Sequence, residues 1–288
     1  MEAQTLREKL VRWIRKLRVR RCESPFVILF RERSGSTYLC SLLDSHKQIS
    51  CRHEDFHGQY IGEVDDVPSR ERVSNWKRRI KKFDESFVEN VSAEDAVTHL
   101  YDTYSFQERA CGFKLKFPHQ FLLYPEVIRE FAWVENLRVI ILSRQNLLKQ
   151  AVSRQNFVRI YSESGRSNLF PDRNARPEPL GRFELNIEDA MHYVKVAQTL
   201  QAKFEQESNQ IVSKFGLDSI HVKYENLLAK RDETLKSVFE FLNVDPSLKI
   251  DAEDVQKATP DRLPDAITNY AELVKRVEGT KIAFMLDQ

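Results

Sequence analysis

Residues 26–37 read Phe-Val-Ile-Leu-Phe-Arg-Glu-Arg-Ser-Gly-Ser-Thr. Five consecutive apolar residues following Pro25 suit a strand buried on both faces, which is the signature of a parallel sheet. The polar turn Arg31–Gly35 then gives way to STYLCSLLDSH, in which Leu39, Leu42 and Leu43 recur at helical spacing, so a helix is expected from near Ser36. A strand, a glycine turn and a helix N-terminus form an anion site, because unpaired backbone N–H groups point outward and the helix dipole adds positive charge. Gly35 permits the tight turn, Ser36 and Thr37 supply hydroxyl donors, Ser34 lies within the turn, and Arg33 supplies full charge. The GxxxxGK[ST] loop of ATP-binding enzymes is absent.

The same alternation continues outward. Short strands are expected at 48–51, at 112–116 (GFKLK), at 138–142 (RVIIL) and at 220–222. Helical patterns are expected at 118–133, with Pro125 kinking or interrupting it, at 145–161, at 187–215, and as a pair after Tyr224. Ser92 with Asp95 resembles a capping box. The tail from Asp251 carries Pro260 and Pro264 before a short helix. Strands alternating with helices imply an α/β fold of three layers, a central parallel sheet flanked by helices. Ligands in such folds bind at the carboxyl ends of the strands. There the second strand-end element is found: Arg144 directly follows RVIIL, and Ser153 lies on the next helix, a pair suited to a second phosphate.

Composition narrows the function. The chain has 288 residues, a hydrophobic fraction of 41% and a net charge of only +2, which allows one cored domain and argues against a dedicated nucleic-acid binder. No apolar run reaches membrane-span length, and no secretory h-region is evident. Cys22, Cys40, Cys51 and Cys111 form neither a CxxC pair nor a zinc-spaced cluster, so they are expected to be reduced thiols of a cytoplasmic protein, and no metal is expected. Residues 1–22 form a basic amphipathic helix, with Leu6, Leu10, Ile14 and Leu17 at helical spacing among Arg7, Lys9, Arg12, Arg15, Lys16 and Arg18. It is either a solvated or core-packed helix or a peripheral contact with an anionic membrane surface. Residues 23–288 form one further domain, with an insertion near 55–105 and a loop near 162–182.

FRERSGSTYLCSLLDSH and RVIILSRQNLLKQAVSRQ, in that order, resemble the 5'-phosphosulfate loop (RxGSTxL) and the 3'-phosphate element of PAPS-dependent sulfotransferases, where PAPS is 3'-phosphoadenosine 5'-phosphosulfate. VKYENL resembles the family's YEDL segment, and LPDAITNYAELVKRVEGT resembles the tail of bacterial members. The resemblance is strongest to the bacterial trehalose-type and carbohydrate branch. It implies a P-loop-like fold, PAPS as donor and PAP as product. It also implies a glycan, glycolipid or other small hydroxyl acceptor, bound by the 55–105 and 162–182 segments.

On that resemblance Glu54, in RHEDF, stands at the distance from Gly35 where trehalose-type members place a catalytic base. His53 is the competing candidate, with a pKa suited to proton transfer. Arg33, the turn's N–H groups and Lys114 would stabilise the leaving oxygen. Lys114 has a second reading, as an edge-strand lysine facing water. Departures are visible: Asp55 stands in place of an aromatic, the usual preceding Pro is missing, and Asn146 replaces an acidic residue. The hormone-type branch, with Lys before Ser-Gly and a His base, fits less well. Two other functions remain open at this point. One is a Mg-dependent nucleotide kinase, disfavoured by the missing Walker lysine and strand-end Asp. The other is a non-catalytic nucleotide-binding module.

Overall fold

A computed structural model describes residues 22–52, 100, 108–117, 125–164, 181–248, 250 and 259–286. Residues 1–21 of the expected basic helix, the Ser92–Asp95 capping box, the 55–105 segment apart from Leu100, and residues 165–180 of the 162–182 loop lie outside the described residues, as do His53 and Glu54.

Among the described residues five strands form the sheet: β1 (Ser24–Arg31), β2 (Ile49–Arg52), β3 (Ala110–Phe117), β4 (Arg138–Ser143) and β5 (Asp218–Lys223). Their spatial order is β2-β3-β1-β4-β5, and all pairs are parallel. β1 therefore lies at the centre. Phe26, Ile28 and Phe30 point to one face, and Val27 and Leu29 to the other. Each face is covered, which is why the strand reads as an unbroken apolar run rather than an alternating one.

The helices divide between these faces. Helix α1 (Ser36–Asp44) packs its Leu39, Leu42 and Leu43 on the first face. Later in the chain α5 (Tyr224–Ala229) and α6 (Arg231–Phe241) join it there, through Leu227, Leu235, Val238 and Phe239. The second face is closed by Val127 of α2 (Pro125–Glu130) and by Phe131 of the 3-10 turn that follows it. Phe204 completes that face from the long helix introduced next as α4 (Ile187–Phe215). Between α2 and α4 runs α3 (Leu147–Ser164). Pro125 is the first described residue of α2, where its fixed φ and missing N–H suit a first helical turn, and residues 118–124 of the expected helix lie outside the described residues.

A third core lies beside the sheet. Leu147, Leu148, Ala151 and Val152 of α3 pack with Ala190 and Val194 of α4. The C-terminal segment joins them through α7 (Leu263–Ala266), α8 (Tyr270–Val277) and a last 3-10 turn at Ala283–Leu286. Reciprocal hydrogen bonds between Asn269 and the Leu185 backbone, 2.9 Å each, pin the tail to the approach to α4. Among the described residues no helix is long and apolar enough to cross a membrane.

Candidate active site

The turn after β1 is built around two left-handed residues. Arg33 has φ 56° and Gly35 has φ 87°, while Ser34 N–H donates to the Arg31 carbonyl at 3.3 Å. Such a path turns successive N–H groups toward one side, making a concave anion nest. Gly35 is also the N-cap of α1, so the nest runs into the first turn of that helix. A side chain at position 35 would meet more than backbone strain. A Cβ there would fall closer than 3.0 Å to Cδ2 and Cε2 of Tyr224 and 3.1 Å from its Cγ. The Tyr224 ring, presented at the end of β5, is the wall against which the turn is pressed.

Two cations and a hydroxyl converge from neighbouring elements. Lys114 is 1% exposed; its Nζ donates to Thr37 Oγ1 at 3.1 Å and sits 5.5 Å from the centre of the Phe30 ring. Its strand is interior, between β2 and β1, so the reading of Lys114 as an edge lysine facing water is overturned. The buried ammonium stands beneath the N-terminus of α1. Arg144 follows β4; its NH1 donates to the Arg33 carbonyl at 3.1 Å, and its guanidinium lies 4.6 Å over the Tyr224 ring. Burial pulls the Arg144 pKa below its ordinary value, opposed by the neighbouring Tyr224, Glu225 and Asp261. An arginine stays protonated through such a shift. Burial pushes the Tyr224 phenol up to about 12.

Helix α3 supplies the facing wall. Gln150, Ser153 and Phe157 recur at helical spacing on one stripe. Gln150 Nε2 donates to the Glu32 carbonyl, and Arg33 Nε and NH2 both donate to Ser153 Oγ at 3.0 and 2.9 Å. The Arg33 guanidinium also lies 5.1 Å over the Phe157 ring. Arg33, Ser34, Gly35, Ser36, Thr37, Lys114, Arg144 and Ser153 thus form one group at the carboxyl edge of the sheet. Within it Arg33, not Arg144, holds Ser153. On the flank, Glu32 is approached by Arg154 at 3.8 Å, Lys116 at 4.0 Å and the Tyr193 hydroxyl at 3.5 Å.

Three of the side chains just named have a polar atom shielded from solvent with no hydrogen-bond partner among the described residues: Ser34 Oγ, Arg144 Nε and Gln150 Oε1. Each such atom forfeits its hydration without replacement. A hydroxyl and a guanidinium N–H left in this way, beside an N–H nest and a buried lysine, fit a ligand carrying anionic oxygens.

A family model described as "Sulfotransferase family" matches residues 25–247. The chain belongs to the sulfotransferase family. The matched span runs from β1 past α6 and takes in every residue of the group just described. Nodulation protein H of Rhizobium tropici is 26% identical over 266 residues, covering 91% of this chain and 94% of that protein. Among solved structures, a sulfotransferase from Alicyclobacillus acidocaldarius is 16% identical, with a TM-score of 0.47 and coverage of 92% of this chain and 94% of that one. A mouse sulfotransferase complexed with PAP is 11% identical, with a TM-score of 0.41 and coverage of 92% and 88%. The chain is therefore a sulfotransferase enzyme of the PAPS-dependent class.

Sequence reasoning left three features of this sulfotransferase unread. One is the contact of Tyr224 with Gly35, which joins residues 189 positions apart. Another is Asn146, noted only as a departure from an acidic residue. Its Oδ1 caps α3 by accepting Lys149 N–H at 2.8 Å, and its Nδ2 donates to the Met285 carbonyl at 2.7 Å. An acid could not make that second bond. The preference of Asn for N-caps was the available signal. The last is Glu225, taken up below.

Proposed function

We propose that this sulfotransferase moves the sulfuryl group of PAPS to a hydroxyl of a glycan, glycolipid or other small acceptor. The observation that carries the reading is the convergence of Arg33, Arg144, Ser153 and Lys114 on one N–H nest, with Ser34 Oγ and Arg144 Nε left without partners there. The nest, Ser36, Thr37 and Lys114 are suited to the 5'-phosphosulfate. Arg144 and Ser153 are suited to the 3'-phosphate.

In the reaction the acceptor oxygen forms a bond to sulfur as the bond from sulfur to the bridging oxygen of PAPS breaks, releasing PAP. Negative charge builds on that bridging oxygen. Fixed donors aimed at it lower the barrier without reorganising as the charge develops. Lys114 is held for this by Thr37 and by its buried setting. Arg33 is held against Ser153 and can swing to the leaving oxygen by rotating its side chain. The acceptor's proton goes to a carboxylate, Glu54, two residues beyond the end of β2, with His53 as the competing base. Acceptor recognition falls to the 55–105 and 162–182 segments of a domain spanning 23–288. The basic helix of residues 1–22 is suited to peripheral contact with an anionic membrane where the acceptor is lipid-linked.

The test is calorimetric titration with PAP and, in parallel, with ATP plus Mg²⁺. PAP binding without metal is expected. ATP binding in its place would move the chain to kinase chemistry and overturn the reading. Glu54→Gln should then abolish transfer while PAP affinity stays at the wild-type value. Transfer that survives would pass the role of base to His53.

A further inference from the structure

Tyr224 is followed by a carboxylate with an unusual position. Glu225 Oε1 accepts the backbone N–H of Gln145 at 3.0 Å and that of Asn146 at 2.9 Å. These are the two residues immediately after Arg144, at the entry to α3. The second oxygen, Oε2, is shielded from solvent without a hydrogen-bond partner among the described residues. A carboxylate at this place has an apparent disadvantage. It puts negative charge beside the arginine suited to the 3'-phosphate, where it repels an incoming anion. It also fills the N-terminus of α3, an end that would otherwise attract phosphate through its own N–H groups.

Both costs have the same consequence. With its entry amides taken, α3 does not receive the 3'-phosphate on its backbone, in contrast to α1, whose N-terminus continues the nest. The phosphate must be caught by side chains, and the direction of Arg144 becomes the decisive variable. Its guanidinium is held by two neighbours, the Arg33 carbonyl and the Tyr224 ring, and its backbone leads directly into the 145–146 peptides that Glu225 holds. Asn146 holds the same backbone from the far side, through Lys149 N–H and the Met285 carbonyl.

We infer that Glu225 is a positioning residue for 3'-phosphate recognition: by clamping the 145–146 amides it aims Arg144, and so sets the preference for a nucleotide bearing a 3'-phosphate over one without it. The inference rests on the PAPS reading above. The clamp depends on reach more than on charge. A glutamine at 225 has the same length and an amide oxygen able to accept both N–H groups. An aspartate keeps the charge but is one methylene too short.

The experiment compares the affinities of wild type, Glu225→Gln and Glu225→Asp for PAP and for adenosine 5'-monophosphate, which lacks the 3'-phosphate, with melting temperatures recorded alongside. Wild type should prefer PAP. Glu225→Asp should lose that preference on the order of ten-fold, with 5'-monophosphate affinity unchanged, and Glu225→Gln should retain it. General loosening of the fold would weaken both nucleotides together and leave the ratio alone. An aspartate variant with the wild-type ratio, or a glutamine variant that loses as much as aspartate, overturns the inference. A wild type that does not prefer PAP removes the donor reading itself, and this inference with it.

Discussion

Replacing Gly35 by Ala tests whether the nest and the Tyr224 wall are one mechanical unit. Two costs are expected. An L-residue at φ 87° carries about 1–2 kcal/mol of backbone strain. The new Cβ also falls inside contact distance of Cδ2 and Cε2 of Tyr224, so the ring must move out from beneath Arg144. Losing that cation–π contact adds roughly 0.5–2 kcal/mol. The sum is about 1.5–4 kcal/mol, a fall of roughly 2–7 °C in melting temperature for a chain of this size. Gly279→Ala is the matched control. Its φ is 71°, but a Cβ there meets nothing within 4 Å, so only the strain applies. PAP affinity separates the two further. Gly35→Ala should weaken it ten- to a hundred-fold, about the worth of one charge-assisted hydrogen bond from a displaced Arg144. Gly279→Ala should leave it untouched. Differential scanning calorimetry and isothermal titration on both variants are sufficient. If Gly35→Ala melts like Gly279→Ala and binds PAP like wild type, the coupling between the turn and Tyr224 is refuted.

Two further outcomes follow from ionisation. Tyr224 is buried, with its phenol raised to about 12 from an ordinary value of 10.0, so the stability this protonated phenol contributes is complete below pH 10 and is lost as pH climbs through about 12. Two units correspond to about 2–3 kcal/mol, and tyrosinate absorbance followed alongside unfolding should show this phenol titrating late, with bound PAP delaying it further. A Tyr224 that ionises with the exposed tyrosines would contradict its placement. Among the thiols, Cys22 is partly exposed and its pKa is lowered first by a hydrogen bond from Cys111, whereas burial drives Cys51 upward and Cys40 is buried. Iodoacetamide at neutral pH should alkylate Cys22 first, as mass spectrometry of short exposures will show; faster labelling of Cys40 or Cys51 would be the contrary result.

What the sequence disclosed, and what it concealed, has physical causes. β1 and β4 are legible because both faces of each are covered, which demands uninterrupted apolar side chains. β5 is half-legible for the opposite reason: it is an edge strand with only Val222 fully buried, so its ends at Asp218 and Lys223 carry no hydrophobic signal. GFKLK misleads in an instructive way. Alternation normally marks a strand with one wet face, but Lys114 is buried beneath α1, where a cation is wanted and water is not. The two elements proposed to hold phosphate stand out in the sequence because each is local: a turn with its helix, and a strand end with its helix. The contacts that join them were not. Neither the Arg33–Ser153 bond nor the Tyr224–Gly35 contact leaves any periodicity behind. Glu54 and His53 lie outside the described residues, and their roles rest on the resemblance and on the Glu54→Gln experiment.

The separations within the site have a consequence for how the enzyme is made. Arg33 and Ser153 are 120 residues apart, Lys114 and Thr37 are 77 apart, and Glu225 closes on a turn 80 residues before it. The first described strand in chain order becomes the central one, yet the partners on both its sides are synthesised much later. β1 must wait, apolar on both faces, for β3 at 110 and β4 at 138. Non-local pairing of this kind slows folding and exposes sticky intermediates. At about 5–20 residues per second, the interval between completing β1 and releasing Glu225 is on the order of tens of seconds. Throughout that time no nucleotide can act as a folding template, since the pocket does not exist until nearly four-fifths of the chain has emerged. PAP added to a translation reaction should therefore protect only chains extended past α5, which makes the nucleotide a reporter of chains that already hold these contacts rather than an aid to forming them.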